Sequence, residues 1–222
     1  MKFENTSVYN IYNAILGSRN PKNSWGKSDS VFKGYNGKIE NTEIGQNDLK
    51  LAQTLIKAGS EHRKFMRQIF VSVDIIAPLY WWKEFETYKV GTVANSTSTM
   101  HKLASTPITI DCFEMDDFEN LEDLEYPFAH VWEHTINNCE ILRQKYNETK
   151  DKRYWKELIR LLPESWLQKR TVTMDYENLL AMCSKGQRRF HKLTEWSEAF
   201  IGWARSLPYA QELIFIDEIN ER

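Results

Sequence analysis

The sequence predicts a mixed α+β or α/β fold, because helical periodicity recurs along most of it and only two segments read as strands. The clearer strand lies in FMRQIFVSVDII, where Ile69, Val71, Val73 and Ile75 face one side and Gln68, Ser72 and Asp74 the other, with Phe70 the exception. LQKRTVTM, residues 167–174, reads as the second strand. At 222 residues, with no internal repeat and no linker composition, the chain is expected to form a single domain over residues 1–222 with a sizeable core.

The remaining segments follow in order. Residues 5–16 put Val8, Ile11, Tyr12 and Ile15 at helical spacing behind a cap at Asn5 or Thr6, and Gly17 stops them. From Ser18 to Gly45 the chain is rich in Gly, Asn, Ser and Lys, with SRNPKNSWGKSDS and GYNGK, and reads as loop. Residues 46–58 return to helical spacing through Leu49, Ala52, Leu55 and Ile56, ended by Gly59. Pro78 suits the first turn of a helix running through Leu79, Trp82 and Phe85 towards Val90, with Gly91 closing it. GTVANSTSTMH neither alternates nor keeps helical period, so it reads as a polar loop suited to a ligand. DDFENLEDLE reads as a solvated acidic segment, Pro127 opens a helix to about Tyr146, and a second helix covers Tyr154–Leu162. MDYENLLAMCS reads as a helix, and RFHKLTEWSEAFIGWARSL as a last amphipathic helix ended by Pro208.

Composition excludes several function classes. A net charge of -2 gives no long electrostatic footprint for duplex nucleic acid. Cys112, Cys139 and Cys183 are odd in number and widely spaced, which fits a reducing cytoplasm rather than a disulfide framework or a structural zinc. No stretch approaches the roughly 20 apolar residues that span a bilayer, and MKFENTSVYN lacks the pattern of a secretory leader. Eight tryptophans, ten tyrosines and eleven phenylalanines point to an aromatic core and subunit contacts ahead of a stacking ligand.

One short motif suggests an enzyme of another kind. HVWEH, His130 to His134, matches the inverted zincin pattern H-x-x-E-H, in which both histidines share a helix face and Glu133 activates water. Three fixed residues in a chain with five histidines are weak, and surface or core histidines that hold no metal are the expectation. No GxGxxG, GxxxxGK[ST] or GxSxG pattern occurs.

Strand, proline-started helix and polar loop together resemble the flavin-dependent thymidylate synthase family, where a strand runs into a helix ending at the signature R-H-R-x-x-S-x-N-E-x-S-x-R-Y. Here APLYWWKEFETYKVGTVANSTSTM takes that path, His62 falls where family members have a histidine before the strand, and Leu162-Pro163 with TVTMDYENLL loosely matches the later part. The likeness covers roughly residues 53–196. The signature itself is largely replaced. R-H-R becomes Thr87, Tyr88 and Lys89, the serine becomes Thr92, N-E becomes Ala94-Asn95, and S-x-R-Y becomes Thr97, Ser98, Thr99 and Met100. A guanidinium fork cannot be replaced by threonine without losing a charge-assisted pair.

The resemblance implies an α+β domain with mixed helices and a small, mostly antiparallel sheet, assembled as a homotetramer with active sites between subunits. It implies FAD as cofactor, with methylenetetrahydrofolate and NADPH as co-substrates, and a pyrimidine nucleoside monophosphate as substrate. By position, Tyr88 and Lys89 would touch the flavin and His62 would stand at the pocket entrance. Glu84 and Asn95 would frame the pocket, and Thr97 and Thr99 would lie by the nucleotide. Arg188 and Arg189 are the candidates to replace the lost phosphate partners, while Arg160 is one residue out of step with a family arginine; no catalytic residue is assigned. A protein that kept the fold without catalysis is the alternative, and a zinc hydrolase using HVWEH the second.

Overall fold

The computed structural model describes residues 1–35, 38–115 and 128–221. The acidic stretch 116–125 and Pro127 lie outside the described residues. The strands are β1 (Lys2–Tyr9), β2 (Val31–Tyr35), β3 (Lys38–Glu43), β4 (Phe70–Pro78), β5 (Val93–Ser96) and β6 (Leu167–Asp175). Those in the order β1-β4-β6-β5 form a small antiparallel sheet, and β2 and β3 form a separate hairpin. The helices are α1 (Ile11–Gly17), α2 (Gln46–Lys57), α3 (Leu79–Phe85), α4 (Thr99–Lys102), α5 (Phe128–Thr149) and α6 (Lys152–Leu161). After β6 come α7 (Tyr176–Met182), α8 (Lys185–Arg188), α9 (Ile201–Arg205) and α10 (Ala210–Leu213). This is the α+β class with a mostly antiparallel sheet that the sequence implied.

Two compact units are woven from alternating stretches of chain. The first comprises residues 1–2, 75–87 and 95–170, and the second residues 3–74, 88–94 and 171–222.

In the first unit the α5–α6 pair covers a core of Leu103, Ile108, Phe113, Cys139 and Leu158, with Trp132, Ile136 and Trp166 packed against it. Asp151 starts α6 by accepting from the Arg153 backbone N–H at 2.9 Å. On α3, Trp81, Trp82 and Phe85 are buried, and the Trp82 indole N–H donates to the Gln168 carbonyl at 3.0 Å. Leu79 N–H donates to the Trp166 carbonyl at 3.1 Å, which fixes the start of α3.

In the second unit the alternation predicted for β4 is realised: Val71 and Val73 are fully buried and Phe70 is exposed. Asp175 and Asn178 cap α7 reciprocally. Trp196 stacks on His191 with ring centroids 4.6 Å apart, and Trp203 stacks on Phe3 at 4.9 Å, so these tryptophans are core. The side chain of buried Asp48 on α2 accepts hydrogen bonds from Arg19, Ser28 and Ser30, while Asp29 accepts the N–H groups of Asn47 and Asp48 at the start of α2. The close approach demands a glycine at position 45, where an added Cβ would lie 2.2 Å from Asp29 Cγ.

Four local expectations fail, the first three where strand pairing overrides local pattern. Residues 5–9 belong to β1, where Asn5 donates to Asp74 at 2.9 Å, and the helix starts only after Asn10, held at φ 70°. The segment 18–45 contains the β2–β3 hairpin, with Val31 opposite Glu43. The helix from Leu79 stops at Phe85 and gives one 3-10 turn, Glu86–Tyr88, and the polar run after Gly91 forms β5 and α4. The last helix begins at Glu195 as a π-helical stretch that continues into α9, and Pro208 is followed by α10.

Candidate functional site

The first unit contains a cavity of about 380 Å³ beside the C-terminal end of β5. Its position follows from edge pairing. Thr97 N–H donates to the Lys169 carbonyl at 2.9 Å, and the Thr97 carbonyl accepts from Gln168 Nε2 at 2.8 Å. With Thr97 pinned, the chain turns into α4, where Lys102 N–H donates to the Ser98 carbonyl at 2.9 Å. Thr97, Ser98, Thr99 and Lys102 thereby line one cavity, whose apolar side is formed by Ile76, Leu103, Trp166 and Leu167. Lys2, Thr106, Asp111 and Cys112 complete its polar part.

The donors of this cavity differ in what they leave available. Thr97 Oγ1 already donates to the Lys169 carbonyl at 3.2 Å, so it can only accept from a ligand. Among the described residues, the Thr99 and Thr106 hydroxyls make no hydrogen bond, and exposed Lys2 and Lys102 make no ion pair. An apolar wall with a few convergent hydroxyls and two ammonium groups suits a flat ligand carrying an anionic end.

Of the other residues singled out in the sequence, Glu84 and Asn95 belong to this unit but do not line the cavity. Glu84 is half-buried on α3, and Asn95 is exposed on β5. Thr87 Oγ1 donates to the Glu84 carbonyl at 2.7 Å, which closes the helix end. His62, Tyr88, Lys89, Arg188 and Arg189 belong to the second unit. There the Tyr88 hydroxyl accepts from Gln187 Nε2 at 2.6 Å and its ring lies 5.7 Å from Trp196. Lys89 and Arg189 are exposed. Arg188 is engaged: it pairs with Glu218 at 2.9 Å, donates to the Cys183 carbonyl at 2.8 Å, and lies 5.6 Å from the Phe215 ring centroid. Arg160 pairs with Glu157 one turn away at 3.0 Å.

His62 lines a second cavity, of about 460 Å³, in the second unit. Lys22 and Lys64 stand with it, along with Ser18 and Ser24, over an apolar floor of Leu51, Leu55 and Phe65.

On α5, His130 and His134 are exposed, and His130 Nδ1 is 3.7 Å from Glu133 Oε2. Among the described residues no group of three or more His, Cys, Asp or Glu side chains is placed to hold a metal. Burial pushes the Cys139 thiol up to about 11 and the Cys183 thiol up to about 12, so both stay protonated and inert at neutral pH.

Comparison with solved structures identifies the architecture. The flavin-dependent thymidylate synthase ThyX from Helicobacter pylori, complexed with FAD and dUMP, matches at TM-score 0.64 and 14% identity, over 98% of this chain and 99% of that one. A second structure of the same enzyme, also with FAD and dUMP, matches at TM-score 0.67 and 14% identity over 98% of both chains. The fold is that of flavin-dependent thymidylate synthase. No family model matches the sequence, and no curated protein does either. On this fold the replaced signature stretch divides: Thr97 and Thr99 meet at the first cavity, whereas Thr87 and Tyr88 are bonded to protein groups. The sequence missed Lys2, Lys22, Lys64 and Lys102. Lys102 had a readable signal, since it lies three residues after Thr99, one helical turn on; the other three had none.

Proposed function

We propose that this protein binds a pyrimidine nucleoside monophosphate in the Thr97–Thr99 cavity and FAD through its second unit, as an enzyme of the flavin-dependent thymidylate synthase type. The observation that carries this reading is the meeting of Thr97, Ser98 and Thr99 with Lys2 and Lys102 around one cavity of about 380 Å³ on that fold. A uracil-like ring suits the Trp166 and Leu167 wall, and the hydroxyls and ammonium groups suit a sugar and a phosphate.

The donor set for FAD fits in part. A diphosphate needs cations, and of the three positions corresponding to R-H-R only Lys89 offers one. The His62 cavity adds Lys22 and Lys64 beside Ser18 and Ser24, with Glu61 3.9 Å from Lys64 offsetting part of that charge, and Leu51, Leu55 and Phe65 as an apolar bed for a ring. His62, Lys22 and Lys64 would hold the cofactor, with Tyr88 and Lys89 near it; Glu84 and Asn95 would frame the nucleotide pocket. FAD, when bound, supplies hydride chemistry that no protein side chain can. One-carbon transfer to a uridylate-type acceptor, from methylenetetrahydrofolate and with NADPH as reductant, is the reaction such a site serves.

A second reading is a nucleotide-binding protein without catalysis. It is favoured by Thr87 and Tyr88, whose hydroxyls are bonded to protein at positions where the family signature has arginine and histidine. The visible spectrum of the purified protein separates the two: the yellow absorbance of oxidised flavin, about one flavin per chain, supports the enzyme. A colourless protein that binds dUMP but takes up no added FAD sinks it in favour of the second reading.

Assembly into a homotetramer belongs to the same proposal. Val90, Val93 and Phe190 of the second unit are 83%, 72% and 74% exposed, and subunit contact is the simplest cover for such side chains. A monomer by light scattering at micromolar concentration would count against it. Among the described residues no helix is long and apolar enough to cross a membrane.

A further inference from the structure

We propose that Lys102 is the phosphate partner of the nucleotide, in place of the arginines that the signature positions lack. This rests on the reading that the Thr97–Thr99 cavity takes a nucleotide, and it goes beyond that reading by assigning the cation. Three observations converge on it. Lys102 lines the same cavity as Thr97, Ser98 and Thr99, while Lys89, Arg188 and Arg189 do not. Arg188 is already neutralised by Glu218, and drawing it to a ligand would leave that carboxylate without one of its partners. Lys102 is exposed, makes no ion pair among the described residues, and sits one turn from the unengaged Thr99 hydroxyl on α4.

Charge decides between Lys102 and the hydroxyls as the main partner. A phosphate dianion set against neutral hydroxyls alone loses hydration without regaining charge, which is costly inside a cavity. An ammonium returns that loss through a charge-assisted hydrogen bond, about twice as strong as a neutral one. The cavity also holds Asp111 and Met1, whose ammonium is paired with Glu114 at 3.4 Å, so the formal charge left from Lys2, Lys102 and Asp111 is one positive. Loss of Lys102 brings this to zero. Lys102 on its flexible stem acts as a point charge rather than a fork, so arginine should substitute for it at modest cost, and binding should weaken as salt rises.

The test is calorimetric titration of the full chain with dUMP and with deoxyuridine, which lacks only the phosphate. Lys102→Gln should weaken dUMP about tenfold to a hundredfold and leave deoxyuridine unchanged. Lys102→Arg should keep most of the preference, Asp111→Asn should tighten dUMP, and Lys156→Gln, at an exposed cation of α6 outside both cavities, should change neither ligand. Thermal unfolding checks that each variant is folded, which the exposure of Lys102 favours. If Lys102→Gln weakens both ligands equally, or neither, or if Lys89→Gln takes the loss, the assignment to Lys102 is overturned. A wild type that binds deoxyuridine as well as dUMP overturns it too, yet leaves the cavity reading standing. A wild type that binds neither at millimolar concentration removes the nucleotide reading, and the role of Lys102 with it.

Discussion

Residues 18–30, between α1 and β2, and 97–106, which follow β5 and include α4, are both rich in small polar side chains, and each invites a ligand-loop reading. In the first, Arg19, Ser28, Asp29 and Ser30 turn inward, while Ser18, Lys22 and Ser24 line the second cavity. Asp48 is fully buried, and Arg19, Ser28 and Ser30 converge on its carboxylate, while Asp29 caps the start of α2. In the second, Thr97 is tied to β6, but the Thr99 and Thr106 hydroxyls and the Lys102 ammonium have no protein partner among the described residues and line a cavity. What separates them is a buried charge. A carboxylate inside a protein must collect donors, so the loop around Asp48 is structural; where no such charge sits, the Thr99 and Thr106 hydroxyls remain available.

That contrast is broken most sharply at Asp48. Asp48→Ala leaves the Arg19 guanidinium, itself 5% exposed, buried without its counter-charge, and should cost about 3–5 kcal/mol of stability. Denaturant unfolding reads the loss directly. A cost below about 1 kcal/mol would mean that Arg19 escapes to water and that the network is not what orders the loop.

The serines come next. Ser28 Oγ donates to Asp48 at 2.6 Å and Ser30 Oγ at 2.5 Å, both to a charged acceptor. Each serine-to-alanine change should therefore destabilise by about 1.5–3 kcal/mol, with no change in dUMP affinity.

Acid should act on both units in the same direction. Burial pushes the Asp48 carboxyl up, but the hydrogen bonds of Ser28, Ser30 and Arg19 outweigh it and hold the pKa below the ordinary value. Glu140 is lowered from 4.5 to about 2, chiefly by its hydrogen bonds from Arg143, then by Ile108 N–H and Gln144. A depressed carboxylate stabilises the fold fully above its unfolded pKa. Stability should hold above about pH 4.5 and fall as pH drops towards 2. Arg143→Gln should remove the larger part of Glu140's share of that loss, visible as a shallower pH dependence of the melting temperature.

The parts of the fold that were legible were those whose pattern agrees with their packing. Alternation from Ile69 to Ile75 gave β4, and Leu49, Ala52 and Ile56 gave α2, because each periodicity matches a buried face. β1 was misread because Val8 and Ile11 happen to keep helical spacing across a strand, a turn at Asn10 and a helix. The β2–β3 hairpin carries one local signal, Asn36-Gly37, a favoured hairpin dipeptide, although those two residues lie outside the described part. Of the site, Thr97 and Thr99 were legible through the resemblance, whereas Lys2 and Lys22 come from segments with no motif and reach their cavities only through tertiary structure.

The smallest expected effect is also the one that isolates the ligand loop from the structural one. Thr99→Val keeps the volume and β-branching of the side chain and removes only a hydroxyl that has no protein partner among the described residues. Since nothing in the fold depends on that hydroxyl, unfolding should shift by no more than about 0.5 kcal/mol. If it bonds a ligand, dUMP binding should weaken by about 1 kcal/mol, roughly fivefold, the value of a neutral hydrogen bond and well below the loss from Lys102→Gln. The serines around Asp48 should show the reverse, stability lost and affinity kept. Should Thr99→Val destabilise the protein as much as Ser30→Ala, the hydroxyls at 97–99 are structural as well, and the two loops do not differ in kind.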